Sequence, residues 1–208
     1  MNKKKIAILG ASGHGKVVAE IAELNNFLIE FYDDAYPQKK SIEHWAIFGS
    51  TQDLLCRKEE YSCAAVGIGD NFIRADKISL LLKNGLDLPA LVHPSAIVSK
   101  YSTLSDATVI FAGAIINSFS EIGIGVIINS NAVVEHDCYV GNYVHISPSA
   151  SLAGGCSIFD YAWLGIGSSV KQGLNLGKSS IVGAGSVVVK DIQAGVTAYG
   201  NPAKVIKG

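Results

Sequence analysis

The sequence lacks an excess of charge of either sign. Its 208 residues include 17 Lys and Arg against 18 Asp and Glu, which gives a formal net charge of -1. It also has no basic stripe interleaved with aromatic residues, whereas a surface that binds nucleic acid normally carries one. We therefore expect no nucleic acid partner.

Long apolar runs are also missing, although hydrophobic residues make up 49% of the chain. The longer uncharged stretches, such as Cys138 to Phe159, are interrupted by Asn, Ser, His and Gly, so none reads as a membrane span. The basic start, Met1 to Lys5, is like the beginning of a signal peptide, but the apolar residues behind it lead directly into a glycine loop and a helix. We expect a cytoplasmic protein without a membrane span.

The 4 cysteines form no functional pattern. They have neither a CxxC spacing nor the Cys/His spacing of a metal site, and they are too few for a disulfide scaffold. Cys138 and Cys156 lie eighteen residues apart in a six-residue repeat of the second half of the chain, at positions where small residues are expected to point inward. We expect reduced structural thiols and no metal.

A six-residue repeat fills the second half of the chain. Stepping by six from Val98 to Val188 meets an aliphatic residue every time, and most residues two positions earlier are small. A triangular coil explains both series, because each of its three faces supplies one inward aliphatic and one inward small residue. The hexads stay in phase, so the repeat predicts an uninterrupted parallel β-helix.

Glycine often follows the aliphatic residue of a hexad. We interpret this position as the corner between two faces, where a residue that tolerates unusual backbone angles is favoured. The glycines concerned are Gly123, Gly141, Gly165, Gly177 and Gly183.

The first part of the chain has the pattern of a small Rossmann-like α/β domain. Residues 5–9 predict a buried parallel strand, which is followed by a glycine loop and a helix from about Lys16 to Leu24. Further strands are predicted at Leu28–Tyr32 and Cys63–Ile68, and another helix at 72–84. We predict two domains, residues 1–92 and residues 93–208.

The glycine loop, Gly10-Ala-Ser-Gly13-His14-Gly15, has two interpretations. Its backbone N–H groups at a helix N-terminus suit a nucleotide phosphate, and Asp33 or Asp34 after the second strand suits a ribose or a base. However, Ser12 stands where a dinucleotide fingerprint has its second glycine, so a purely structural tight turn is the alternative.

Two histidines of the repeat are candidates for chemistry, because their side chains leave the coil's interior. His136 has carboxylates on both sides, Glu135 and Asp137, and either could orient an imidazole that acts as a general base. The backbone N–H groups of the nearby Ala153-Gly154-Gly155 could polarise a thioester carbonyl and hold the developing oxyanion. The alternative is that His136 and His145 are ordinary surface residues.

The chain resembles, over essentially its full length, the bacterial sugar acyltransferases that include sialic acid O-acetyltransferases and nucleotide-4-amino-sugar N-acetyltransferases. The likeness is strongest to enzymes of the bacillosamine pathway that act on a UDP-linked 4-amino sugar. The matching pieces are Gly10–Gly15, Asp33-Asp34, Gly67–Asn71, His93-Pro94, Asn129, Glu135-His136, His145, Gly154 and Gly200–Lys204.

The resemblance implies a left-handed β-helix, a homotrimer, acetyl-CoA as co-substrate and a nucleotide sugar as acceptor. It makes His136 the general base, Glu135 its orienting partner, and the Gly154 N–H the donor to the thioester carbonyl. The implied nucleotide-sugar residues are Ser12, Gly13, His14, Asp33, Asp34 and Asn71. The implied acetyl-CoA residues are Asn129, His145, Gly154, Gly165, Gly167, Gly183, Ala184, Pro202 and Lys204.

The expected function is direct transfer of the acetyl group of acetyl-CoA to the 4-amino group of an amino-dideoxy sugar. The sugar is expected to be linked to a nucleotide, UDP. O-acetylation of sialic acid and N-acetylation of a GDP-linked amino sugar are alternatives. The spacing of the motifs in the sequence does not show which sugar the binding pocket accepts. A nucleotide-binding scaffold without catalytic activity is the alternative outside enzymes.

Overall fold

The structure is a computed structural model that describes residues 4–207 of the chain. The chain divides into two compact units, Met1–Pro94 and Ser95–Gly208. No helix among the described residues combines the length and the apolar character that a membrane crossing needs.

The first unit is built around a three-stranded parallel sheet. Its elements in chain order are β1 (Lys5–Leu9), α1 (Gly13–Leu24), β2 (Leu28–Tyr32), β3 (Ser41–Ile42), β4 (Trp45–Ala46), α2 (Thr51–Cys56), a 3-10 turn (Lys58–Glu60), β5 (Cys63–Val66), α3 (Asn71–Lys83) and β6 (Leu91–Val92). The strand order is β2-β1-β5, and Ile8 of β1 pairs with Phe31 and Ala65. β1 is the central strand, and its residues Ile6 to Leu9 are buried, as is typical of a parallel sheet that is covered on both faces.

The α/β prediction is confirmed, with small differences at the ends of elements. β1 and β2 have the predicted bounds, but α1 begins at Gly13 rather than near Lys16, because Ser12 is already in the extended N-cap conformation. The antiparallel pair β3 and β4 was not predicted, since two-residue strands give no periodic signal. Neither was α2, which begins with a capping box between Ser50 and Asp53.

The second unit is a parallel solenoid of two-residue strands, which confirms the predicted parallel β-helix. Face 1 consists of β7 (Ile97–Val98), β10 (Ile115–Ile116), β13 (Val133–Val134), β16 (Ser151–Leu152), β19 (Ser169–Val170) and β22 (Val187–Val188). Face 2 consists of β8 (Thr103–Leu104), β11 (Glu121–Ile122), β14 (Tyr139–Val140), β17 (Ser157–Ile158) and β20 (Asn175–Leu176). Face 3 contains β9 (Val109–Ile110), β12 (Ile127–Ile128), β15 (His145–Ile146), β18 (Trp163–Leu164), β21 (Ile181–Val182), β23 (Thr197–Gly200) and β24 (Ala203–Lys207).

The inward positions follow the predicted hexad phase. The aliphatic residues from Ile110 to Val188 are buried, whereas Val98 and Leu104 in the first coil are half-buried. Two small inward residues with hydroxyls find partners: Thr108 donates to the Gly123 carbonyl at 2.8 Å, and Ser120 to the Glu135 carbonyl at 2.6 Å. The hydroxyls of Ser168 and Ser180 have no hydrogen-bond partner among the described residues, so the core satisfies only part of its buried polar groups.

The prediction that the glycine after each aliphatic residue forms the corner was wrong. Positive φ angles occur two residues after this glycine position, for example 56° at Asn131, 58° at Asp137 and 68° at Gly155. The glycine after the aliphatic residue serves close stacking instead: a Cβ on Gly165 would lie 2.6 Å from the backbone nitrogen of Ala184 in the next coil. Such a contact is too short for any side chain.

Candidate active site

His136 lies at the corner that follows β13, where the chain turns from face 1 to face 2. The next residue, Asp137, has the left-handed φ of 58° that forms this corner, a conformation that Asp tolerates better than most residues. The turn brings the Asp137 carboxylate beside its neighbour, with 2.7 Å between His136 Nδ1 and Asp137 Oδ2. The hydrogen bond to Asp137 raises the pKa of His136, and the charge of Glu135 adds to this.

This hydrogen bond selects the tautomer of the exposed His136 ring. A carboxylate accepts only, so Nδ1 carries the proton in the neutral ring and Nε2 keeps a free lone pair. Nε2 is thus the basic nitrogen. Among the described residues, Asp137 rather than Glu135 makes this hydrogen bond, so the assignment of Glu135 as the orienting partner stays a prediction.

Gly154 lies directly against the His136 ring, one coil further along. A Cβ on Gly154 would be 2.5 Å from His136 Cε1 and 2.6 Å from Nε2. Neighbouring backbone groups are engaged: Gly155 N–H donates to the His136 carbonyl at 2.9 Å, and the Gly154 carbonyl accepts from Gly173 N–H at 3.0 Å. Within residues 4–207 the Gly154 N–H makes no such bond and remains available beside the basic nitrogen.

His145 lies on face 3, away from the His136 corner. As the outward residue of β15 it leaves the coil's interior as predicted, yet it is only 7% exposed. Its ring stacks on Trp163, with centroids 5.2 Å apart and an interplanar angle of 11°. The amide Nδ2 of Asn129 lies 3.2 Å from His145 Nε2.

An open apolar groove of about 450 Å³ runs along the same face beside Trp163. It includes three of the predicted acetyl-CoA residues, Gly165, Gly183 and Ala184. The Tyr199 ring covers Gly183 so closely that a Cβ there would overlap it. Glycine walls and aromatic edges suit a long flexible chain such as the pantetheine arm of CoA.

The remaining predicted acetyl-CoA residues lie outside this lining. Gly167 is in the corner that follows face 3, with a φ of 65°. Pro202 lies in the turn between β23 and β24, and Lys204 is exposed on β24.

The glycine loop of the first unit leaves the start of α1 open. Ser12, the N-cap residue, makes no side-chain cap, and its hydroxyl instead donates to the Gly67 carbonyl at 3.2 Å. The first-turn N–H groups therefore have no side-chain cap from Ser12, at the positive end of the helix dipole. Lys39 Nζ donates to the Ala11 carbonyl and adds a positive charge beside the loop.

The carboxylates of Asp33 and Asp34, predicted to contact the nucleotide, already accept hydrogen bonds from other groups of this chain. Asp33 accepts from the N–H groups of Ala11 at 2.7 Å and Ala35 at 2.9 Å, which ties β2 to the glycine loop. Burial alone would raise the pKa of Asp34, but hydrogen bonds from Lys77 and Thr51 outweigh it and lower the pKa to about 2.

His14 and Asn71 lie deeper, near the buried Arg74. Burial, followed by the positive charge of Arg74, lowers the pKa of His14 to about 4, so the ring is neutral at pH 7. The Arg74 guanidinium donates to Asn71 Oδ1 at 2.9 Å. Ser12, Gly13 and His14 are consecutive in the glycine loop, and Asn71 is hydrogen-bonded to Arg74, whose charge acts on His14.

Two residues of the site were missed in the sequence, Trp163 and Tyr199. Trp163 is one full turn of eighteen residues after His145, and the two pair in register. The eighteen-residue spacing from His145 is therefore the sequence signal that indicates Trp163. Tyr199 lies beyond the last hexad and had no comparable signal. No group of three or more His, Cys, Asp or Glu that could hold a metal is present among residues 4–207.

Both units of the chain have relatives among known proteins. Residues 5–80 match the family described as the PglD N-terminal domain. The acetyltransferase domain of PglB from Neisseria gonorrhoeae FA1090, solved in complex with acetyl coenzyme A, is 37% identical with a TM-score of 0.94, covering 99% of this chain and 100% of that one. PerB from Caulobacter crescentus, solved with CoA and GDP-perosamine, is 37% identical with a TM-score of 0.93, covering 98% of this chain and 97% of that one.

A curated relative matches over a shorter stretch. UDP-N-acetylbacillosamine N-acetyltransferase from Bacillus subtilis (strain 168) is 39% identical over 113 residues, which is 52% of this chain and 52% of that protein. The match thus spans about half the length of this relative.

The α/β unit, the hexad solenoid and the histidine corner define a two-unit transferase of the hexapeptide-repeat class. With 37% identity over the full PglB acetyltransferase domain, the chain belongs to the family of PglB- and PerB-like N-acetyltransferases.

Proposed function

We propose that this protein transfers the acetyl group of acetyl-CoA to the 4-amino group of a UDP-linked amino-dideoxy sugar, with His136 as general base. The observation that carries the proposal is the His136 corner, where the free Nε2 lies against Gly154 while Nδ1 is tied to Asp137 at 2.7 Å. Relatives that act on nucleotide-linked amino sugars support the choice of substrate class.

The chemistry follows from the two groups at this corner. The neutral amine attacks the thioester carbonyl, and His136 Nε2 accepts the proton that the amine loses. The Gly154 N–H donates to the carbonyl oxygen as negative charge develops on it. The C–S bond then breaks and the CoA thiolate leaves, so the acetyl group passes directly to nitrogen.

The nucleotide sugar binds, in this proposal, at the start of α1 in the domain of residues 1–92. Ser12, Gly13 and His14 receive the phosphates, because the uncapped N–H groups and the helix dipole favour anions. Asp33 and Asp34 face the base or ribose with oxygens that already accept hydrogen bonds, so they contribute their remaining lone pairs.

Acetyl-CoA binds along face 3 of the domain of residues 93–208. The groove beside Gly165, Gly183 and Ala184 takes the pantetheine arm, and His145 with Asn129 lies near the acyl end. Pro202 and Lys204 contact the adenine end of CoA.

We further propose a homotrimer whose active sites form between subunits. His136 follows face 1, whereas His145 is on face 3. A site that uses both therefore brings together two different sides of the solenoid, and cyclic symmetry provides such a contact between neighbouring copies.

An assay of CoA thiol release tests the substrate class across UDP-, GDP- and CMP-linked sugars. We expect release with a UDP-linked 4-amino sugar and none with its 4-hydroxyl analogue. A GDP-linked 4-amino sugar is the second candidate, because the PerB complex contains GDP-perosamine. Thiol release with none of the amino sugars would contradict the proposed function.

A further inference from the structure

Trp163 is shared by two features of face 3. One side of its indole stacks on His145 at 5.2 Å and 11°, while its other atoms line the apolar groove. Its exposed fraction of 38% shows that a molecule in the groove would touch this ring. His145, only 7% exposed, is shielded from such contact.

Hydrogen bonds hold both rings in place. The Trp163 indole N–H donates to Ser147 Oγ at 2.9 Å, which fixes the plane on which His145 stacks. On the imidazole side, Ser130 N–H donates to Asn129 Oδ1 at 2.8 Å, so the amide NH₂ of Asn129 faces His145 Nε2 at 3.2 Å. Nε2 is then the acceptor, and the neutral ring carries its proton on Nδ1.

We propose that Trp163 is a positioning residue that couples occupation of the groove by CoA to the placement of His145. The inference rests on the proposed function for the identity of the groove's occupant. A molecule that presses on the exposed indole edge acts on the same rigid ring that sets the orientation of His145. Trp163 therefore influences turnover through His145 as well as CoA affinity through the groove.

Steady-state kinetics separate these two effects. Trp163→Leu removes the stacking plane and a groove wall, so we expect a raised KM for acetyl-CoA and a kcat lowered by roughly 10- to 100-fold. Trp163→Phe keeps an aromatic plane and should restore most of kcat. Ile181, which pairs with Trp163 and lines the groove one coil further, is the matched control: Ile181→Ala should raise KM alone.

A binding measurement makes the test independent of turnover. The chain has 2 tryptophans, so Trp45→Phe leaves Trp163 as the only tryptophan, and we expect CoA alone to change the fluorescence that is excited selectively from tryptophan. Unchanged emission at saturating CoA, or a Trp163→Leu effect on KM alone, would overturn the proposal. Wild-type protein that binds CoA with the expected emission change but acetylates no sugar would instead contradict the proposed function. Ser147→Ala, a milder change, should lower kcat in the same direction if Trp163→Leu does not fold.

Discussion

At the scale of single residues, the His136 corner depends on the backbone of its neighbour. Asp137 is in the left-handed region with a φ of 58°, and this turn puts its carboxylate against Nδ1. The sequence shows carboxylates on both sides of His136, but it does not show which of them the corner turns towards the imidazole ring. For this reason Glu135 and Asp137 could not be separated before the structure.

The pH dependence of kcat/KM distinguishes these carboxylates. Because Asp137 raises the pKa of His136 above its ordinary value of 6.5, the proposed base should be inactivated by protonation at a higher pH than usual. Asp137→Asn removes the negative charge, so the acid limb of the profile should move to lower pH. Glu135→Gln, which loses only a weaker charge effect, should move it less. Equal shifts in the two variants would contradict the role of Asp137.

Gly154 provides a second test at this scale. Its φ is not in the left-handed region, so Gly154→Ala keeps the backbone and the N–H donor but puts a methyl group where the His136 ring lies. The ring is a mobile side-chain end and should swing away. We expect a loss of turnover of roughly 100-fold with an unchanged melting temperature, measured by thiol release and thermal unfolding. Normal turnover would mean that the ring position does not matter.

At the scale of elements, the solenoid was more predictable than its corners. Inward aliphatic residues such as Val134 recur with a period that only a regular coil explains, so the phase could be fixed from the sequence. Corner residues include glycines such as Gly155 but also Asn131, Asp137 and Tyr143, so no single residue type marks the corner position in the sequence. Glycines after the aliphatic residues looked like corners because close backbone stacking selects the same residue type.

The hexad phase can be tested with one buried charge. Val134 is fully buried, so Val134→Asp puts a carboxylate without a partner into the stacked core at a cost of several kcal/mol. We expect no soluble folded protein on expression. Ser157→Asp, at an outward position of β17, is the control and should express normally. A Val134→Asp protein with the wild-type melting temperature would refute the phase.

At the scale of the whole molecule, the proposed trimer explains why the candidate groups lie on different faces. His136 and Gly154 contact each other within one chain, so these two need no second subunit. His145 and the groove belong to face 3, where a neighbouring copy would have to supply the other half. No pattern in the sequence could indicate this division, because it depends on which faces meet in the assembly.

Mixed assemblies test the shared site. When His136→Ala and His145→Ala chains are co-expressed, some interfaces combine an intact His136 from one chain with an intact His145 from the other. We expect activity well above that of either variant alone, and a trimer in sedimentation equilibrium. A fully active monomer would contradict the shared site and leave the fold unaffected.

The most direct test of the account is the acetylated product itself. Wild-type protein and His136→Ala are incubated with acetyl-CoA and UDP-4-amino-4,6-dideoxy-N-acetylglucosamine, and the sugar is followed by mass spectrometry. We predict one added acetyl group with the wild type, and formation slower by about 10²- to 10⁴-fold with the variant, the usual contribution of a positioned general base. Equal rates for the two proteins, or no acetylated sugar with the wild type, would contradict the central claim.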